Sequence, residues 1–126
     1  MRTLLTIITI VFLLLVGSIT SDRFIQTTSQ IIGDQLNIVE QSLSNRKWEA
    51  AKTELTTAQK SWEKSNLWWS ILFDHQEIDT IKISLKQLEN YLNAKDFSDS
   101  LVELAAIKLR LENLKQSTKL TVKNIF

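Results

Sequence analysis

The residues best suited to bind a metal ion or to transfer a proton lie close together in the segment 74–79, near the middle of the chain. His75 is the only histidine, and Asp79 follows four positions later, so a helix would place both side chains on one face. Such a pair can bind a divalent cation, but a closed site would need Asp74 or Glu77 as a third ligand. The competing interpretation is a helix start, in which Asp74 and Glu77 form a capping box and His75 is exposed. We favour the capping box and expect no metal and no other cofactor.

The sequence offers little else that points to catalysis. It has no cysteine, which excludes disulfides, thiolate metal sites and a cysteine nucleophile. Its two glycines, Gly17 and Gly33, lie too far apart to form a phosphate-binding loop. Glu77 and Asp79 are two residues apart and point to different faces of a helix, which argues against an acid–base pair. We therefore expect that the protein is not an enzyme.

Three of the four tryptophans, Trp62, Trp68 and Trp69, come shortly before this segment. Helical phase places Trp62 and Trp69 on one apolar stripe with Trp48, which predicts that they pack in the core. Trp68 cannot share that stripe, because adjacent helical residues point about 100° apart. Three interpretations of Trp68 stay open: it covers a helix junction, lies among lipid headgroups, or binds a partner.

The composition predicts that helices position all of these residues. Proline is absent and glycine is rare, while good helix formers are abundant. We expect a first helix over about 22–43, either separate from or continuous with a helix in the preceding apolar segment. A second helix follows the polar break 44–47, with Asn45 as its N-cap and an end as late as Phe73. A third helix follows Asp74 and a fourth follows the break 93–96. The residues expected to face inward are Ile32, Leu36, Val39, Leu43, Trp48, Ala51, Leu55, Ala58, Trp62, Trp69, Ile78, Ile81, Leu85, Leu88, Leu92, Phe97, Leu101, Leu104, Ile107, Leu111 and Leu114.

The two halves of this helical region align at an offset of 49 residues. Trp48 matches Phe97, Trp62 matches Leu111, and in each half a four-residue polar break is followed at once by an aromatic residue. Each half reads as a helical hairpin that cannot bury its apolar face alone. The sequence therefore predicts an all-α fold in which two helical hairpins form a four-helix bundle.

An apolar segment precedes the bundle. The 19 residues Thr3–Ser21 carry no charge and are bounded by Arg2 and Asp22. As a helix they span about 28 Å, close to the ~30 Å hydrocarbon core of a bilayer. The cation before this segment favours a cytoplasmic N-terminus and an exported remainder.

A cleaved signal peptide is the alternative to a membrane anchor. The apolar run 4–16 has a suitable length, and residues 16–18 offer a plausible cleavage site. We favour the uncleaved anchor, because the apolar run continues beyond that site. The chain is accordingly divided into an anchor or signal segment, 1–21, and an extracytoplasmic helical bundle, 22–126.

The order of the motifs resembles domain-of-unknown-function family 4363. The motifs that carry the resemblance are Trp48 with Ala51, Trp62, the run His75–Asp79, the run Leu101–Ala105 and the run Leu120–Phe126. The resemblance spans nearly the whole chain and implies a small Gram-positive protein with an N-terminal membrane segment and a helical domain. It implies no activity. It also identifies motif positions of unassigned role, namely His75, Glu77, Asp79, Asn124, Ile125 and Phe126.

We interpret the protein as a single-pass membrane protein whose bundle lies on the extracytoplasmic side and contacts another envelope or membrane protein. Secretion after signal cleavage is the alternative location. The alternative function is a ligand- or ion-sensing bundle that acts through a partner membrane protein. The formal net charge of +1 gives no reason to expect nucleic acid as a partner, since nucleic-acid binding needs a concentrated basic face. The oligomeric state stays open.

Overall fold

The computed structural model describes the backbone of residues 1–125 and the side chains of residues 1–17, 23–71 and 73–116. Five helices account for almost all of this chain, which confirms the all-α prediction. They are α1 (Arg2–Ser44), α2 (Trp48–Lys64), α3 (Asn66–Leu72), α4 (His75–Asn93) and α5 (Phe97–Ile125).

Four of these helices form a bundle. Helix α1 packs against α2 and α5, and α4 packs against the same two helices. The hairpins α1–α2 and α4–α5 therefore lie side by side, and the short helix α3 joins them. The four-helix bundle of two hairpins is confirmed.

The core follows the predicted apolar stripe. Every residue expected to face inward is buried, except Trp48, Phe97 and Leu101, which are partly buried and pack against the core. Ile25 extends the core toward the start of the bundle. Because the helices are amphipathic with period 3.6, burial of this single stripe holds the two hairpins together.

The turn between α1 and α2 is a Schellman motif. Arg46 adopts a left-handed conformation, with φ 58°. Its N–H donates to the carbonyl of Leu43 at 2.9 Å, and the N–H of Lys47 donates to the carbonyl of Ser42 at 2.8 Å. These two bonds satisfy carbonyls that the end of a helix otherwise leaves without donors.

The turn between α4 and α5 repeats this motif 49 residues later. Lys95 is left-handed, with φ 54°. Its N–H donates to the carbonyl of Leu92 at 3.1 Å, and the N–H of Asp96 donates to the carbonyl of Tyr91 at 3.0 Å. The internal repeat predicted from the sequence is thus present in the backbone geometry.

Polar contacts between the hairpins follow the same repeat. Lys108 on α5 pairs with Glu40 on α1. The amide of Gln59 on α2 donates to Glu89 on α4 at 3.3 Å. Gln59 lies 49 residues before Lys108, and Glu89 lies 49 residues after Glu40. Each contact joins one helix of a hairpin to the neighbouring helix of the other hairpin.

Three sequence predictions about helix ends need correction. Asn45 is the C-cap of α1, whereas Lys47 is the N-cap of α2. Helix α2 ends at Lys64 and does not continue to Phe73, because a turn at Ser65, whose N–H donates to the carbonyl of Trp62, separates it from α3. Asp74 does cap α4, but its carboxylate accepts from the N–H of Gln76, at 3.5 Å, rather than from that of Glu77 as a capping box requires.

Helix α1 begins far upstream of the bundle core. The apolar side chains from Leu4 to Val16 are exposed along its first four turns. Within the described part of the chain, no helix combines the length and the apolar character needed to cross a membrane.

Candidate functional site

The junction between the hairpins is built on two stacked tryptophans. The rings of Trp62 and Trp69 lie 5.2 Å apart and are inclined by 20°. Trp62 lies in the last turn of α2 and Trp69 in α3, so the two rings stack across the one-residue interruption at Ser65.

Further aromatic rings surround Trp69. Its ring centroid lies 5.6 Å from that of Phe73 and 6.4 Å from that of Phe24 on α1. Phe24 also contacts Trp68, at 5.6 Å. We call these five residues, Phe24, Trp62, Trp68, Trp69 and Phe73, the aromatic cluster. It ties α1, the end of α2 and α3 together at one end of the bundle.

The two stacked tryptophans of the cluster are buried. Trp69 is 0% exposed and Trp62 is almost as deeply buried. Both indole N–H groups lack an acceptor among the described residues, although a buried donor is normally paired. The predicted core role of both tryptophans is confirmed. Trp62 also lines a solvent-open groove of about 230 Å³ between α2 and α4, together with polar residues that include Gln59, Lys86 and Glu89.

The outer face of α3 is also apolar. Leu67 is 70% exposed, Trp68 51% and Ile71 66%. Residues 67 and 71 are one helical turn apart, and residues 68 and 71 are also neighbours on the helix surface. Trp68 lies outside the core stripe, as its phase predicted. Helix α3 thus presents apolar side chains both to the bundle and away from it.

The side chains of the acidic segment after the junction, residues 74–79, do not come together in one cluster. His75, Glu77 and Asp79 are all exposed along the first two turns of α4. Among the described side chains, no three His, Asp or Glu residues come close enough together to hold a metal ion. The side chains of Asn124 and Ile125, and the whole of Phe126, lie outside the described residues.

A groove beside this segment was not predicted. It lies between α4 and α5, has a volume of about 260 Å³ and is open to solvent. Glu77 lines it together with Gln76, Thr80, Arg110 and Asn113. The sequence carried no signal for Arg110 or Asn113, because only the packing of α5 on α4 brings them to this place.

Two carboxyl groups elsewhere on the bundle have shifted pKa values. The pKa of Glu89 is lowered by its hydrogen bond with the Lys86 ammonium, at 3.1 Å, and by the amide of Gln59. The pKa of Asp99 is raised by its hydrogen bond with Asp96 and by the negative charge of that residue. The Asp99 pair lies at the start of α5, whereas Glu89 and its two partners line the same groove as Trp62.

The bundle and its junction define the class of protein as a duplicated helical hairpin closed by an aromatic cluster. The model of the family described as Domain of unknown function (DUF4363) matches residues 19–125. The chain therefore belongs to this family, as the resemblance indicated. No curated protein and no solved structure matches the chain.

Proposed function

We propose that this protein is a membrane-tethered helical module that works by contact with another protein of the cell envelope and has no catalytic activity of its own. The observation that carries the proposal is the continuity of α1. One helix runs from the uncharged segment Thr3–Ser21 into the core of the bundle. The described side chains from Leu4 to Val16 are exposed on it, where lipid would cover them. The bundle would lie on the extracytoplasmic side, in keeping with the single cation Arg2 before the segment.

The bundle surface supports a contact role. Val102 and Leu109 lie seven residues apart on one face of α5, and Ile31 and Ile38 have the same spacing on α1; all four are exposed. Two apolar residues two turns apart on a helix are a common anchor pattern for helical partners. A partner that binds along α1 or α5 would bury these side chains.

Photocrosslinking in cells tests the contact role. A photoreactive benzoylphenylalanine replaces Ile38 or Leu109 in the full chain, and exposed Thr56 on α2 provides the control position. We expect a discrete crosslinked product at Ile38 or Leu109 and none at Thr56. If exposed positions on all four long helices yield no product from living cells, the contact role is wrong.

A ligand-sensing bundle that acts through a partner membrane protein is the second candidate function. The α4–α5 groove favours it, because Arg110, Glu77 and Asn113 offer both signs of charge and an amide at one place. Arg110 would attract a carboxylate or phosphate. Thermal unfolding with citrate or inorganic phosphate tests it. A rise in melting temperature that Arg110→Ala abolishes would support sensing, and an unchanged melting temperature would count against these anions.

A further inference from the structure

The outer face of α3 is an apolar surface with no covering element among the described residues. It is formed by Leu67, Trp68 and Ile71, and we call it the α3 face. The whole stretch 65–73 is uncharged, and it is bounded by Lys64 and Asp74. A short helix that is apolar on both sides needs a second apolar environment besides its own core.

The position of the α3 face identifies that environment. Trp68 contacts Phe24 of α1, with 5.6 Å between the ring centroids. Phe24 follows the last residue of the uncharged segment, Ser21, by three positions, or about 4.5 Å along a helix. The headgroup layer on each side of a bilayer is roughly 5–7 Å thick. If Thr3–Ser21 fills the hydrocarbon core, Phe24 lies in the headgroup layer, and Trp68 lies within one side-chain length of it.

We propose that the α3 face inserts into the lipid interface beside the point where α1 leaves the membrane, so that the bundle is held at the bilayer by two contacts rather than by α1 alone. This inference rests on the proposed membrane anchor. Tryptophan favours the headgroup layer, where its ring is partly in contact with acyl chains and its N–H reaches polar groups.

The flanking charges suit this arrangement. Arg23 directly precedes Phe24 on α1, and Lys64 is the last residue of α2; both are exposed and would face lipid phosphates. Asp74 is engaged as the N-cap of α4 and accepts a backbone hydrogen bond there. A second contact would fix the orientation of the bundle and keep the exposed side chains of α1 and α5 at a constant height above the bilayer.

Fluorescence quenching by brominated lipid tests the position of Trp68. The full chain is reconstituted in phosphatidylcholine vesicles with and without bromine on the acyl chains. We expect brominated lipid to quench part of the tryptophan emission, and we expect Trp68→Phe to lose most of that quenching. Trp48→Phe is the control, because Trp48 follows the turn at the opposite end of the bundle. Equal quenching in the wild-type protein and Trp68→Phe would overturn the inference.

Spin labels give a second measurement that does not depend on tryptophan. Because the chain has no cysteine, Leu67→Cys and Ile71→Cys can each carry one label, with Val102→Cys as the control at 68% exposure of the native side chain. In the same vesicles, labels at 67 and 71 should collide more with oxygen than with a water-soluble nickel chelate, and the label at 102 should show the reverse. Preference for nickel at 67 and 71 would refute insertion. Protection from both reagents would also refute it and would indicate a second copy of the chain on this face.

Flotation separates this inference from the proposed function. If the chain does not float with the vesicles and is extracted by alkaline carbonate, the membrane anchor itself is wrong. If it floats and resists carbonate while Trp68 and the two labels behave as solvent-exposed, the anchor stands and only the insertion of α3 is refuted.

Discussion

Replacement of Trp69 should destabilise the bundle far more than replacement of its neighbour Trp68. Trp69 is fully buried and packs against Trp62, Phe73 and Phe24. Truncation of a buried tryptophan to alanine typically costs about 3–5 kcal/mol. Each aromatic pair contributes about 0.5–1.5 kcal/mol beyond its buried area, so three lost pairs place Trp69→Ala at the upper end of that range. Trp68 is half-exposed with one ring contact, and we expect Trp68→Ala to cost about 1 kcal/mol or less.

Guanidinium unfolding of the full chain in detergent, followed by circular dichroism at 222 nm, measures both effects. Trp69→Phe supplies the matched control, because it keeps a ring in the cluster and removes an indole N–H that lacks an acceptor among the described residues. It should cost less than half as much as Trp69→Ala. Equal losses for Trp69→Ala and Trp68→Ala would refute the description of α3 as a helix with one buried and one exposed face.

Three further predictions concern the turns and the polar contacts. Lys95→Gly should raise the free energy of unfolding by about 0.5–1 kcal/mol in the same assay. Glycine removes the strain of a left-handed residue, and this gain exceeds the loss of stability that its greater backbone entropy in the unfolded chain causes. A loss of stability would contradict the Schellman geometry. The Arg46 guanidinium lies 3.8 Å from the centroid of the Phe97 ring, and a double-mutant cycle with Arg46→Ala and Phe97→Leu should give a coupling energy of about 0.5–1 kcal/mol; additivity would show that the contact is not formed. The folded-state pKa of Glu89 lies below its ordinary value of 4.5, chiefly through Lys86, so this carboxylate stabilises the fold above pH 4.5, and that contribution is lost as the pH falls through the lowered pKa. Glu89→Gln should therefore reduce stability at pH 7 and flatten its decline in acid, and an unchanged pH profile would argue against the interaction.

The core could be predicted from the sequence because it depends on spacing alone. A stripe such as Leu36, Val39 and Leu43 has one way to be buried in a helix. The recurrence of a polar break and an aromatic residue at Trp48 and Phe97 likewise predicted the two hairpins. Both patterns are periodic, and the physical cause of each lies in the local chain.

The helix ends could be predicted less well from the sequence. Glycine is the usual residue at the left-handed position of a Schellman turn, but Arg46 and Lys95 occupy it here, so no residue type marked the turn. Asn45 was assigned as an N-cap because asparagine favours helix starts, whereas it closes the preceding helix. These positions are set by the hydrogen bonds of the turn as a whole.

The junction was predicted in part. The phase of the tryptophans indicated that Trp69 is buried and Trp68 is not. The break at Ser65 carries no glycine or proline, so no residue type marked it, and the stacking of Trp62 on Trp69 across it is a tertiary contact. The groove lined by Arg110 and Asn113 likewise depends on how α5 packs on α4, which no local pattern specifies.

Labelling of a single cysteine in intact cells tests the central claim most directly. This claim is that the bundle is tethered to the cytoplasmic membrane on its outer side. Asn45→Cys is suitable, because Asn45 is exposed in the turn after α1 and the native chain has no cysteine. A membrane-impermeant maleimide should label this variant in intact cells to the same extent as after lysis. Labelling only after lysis would contradict the claim.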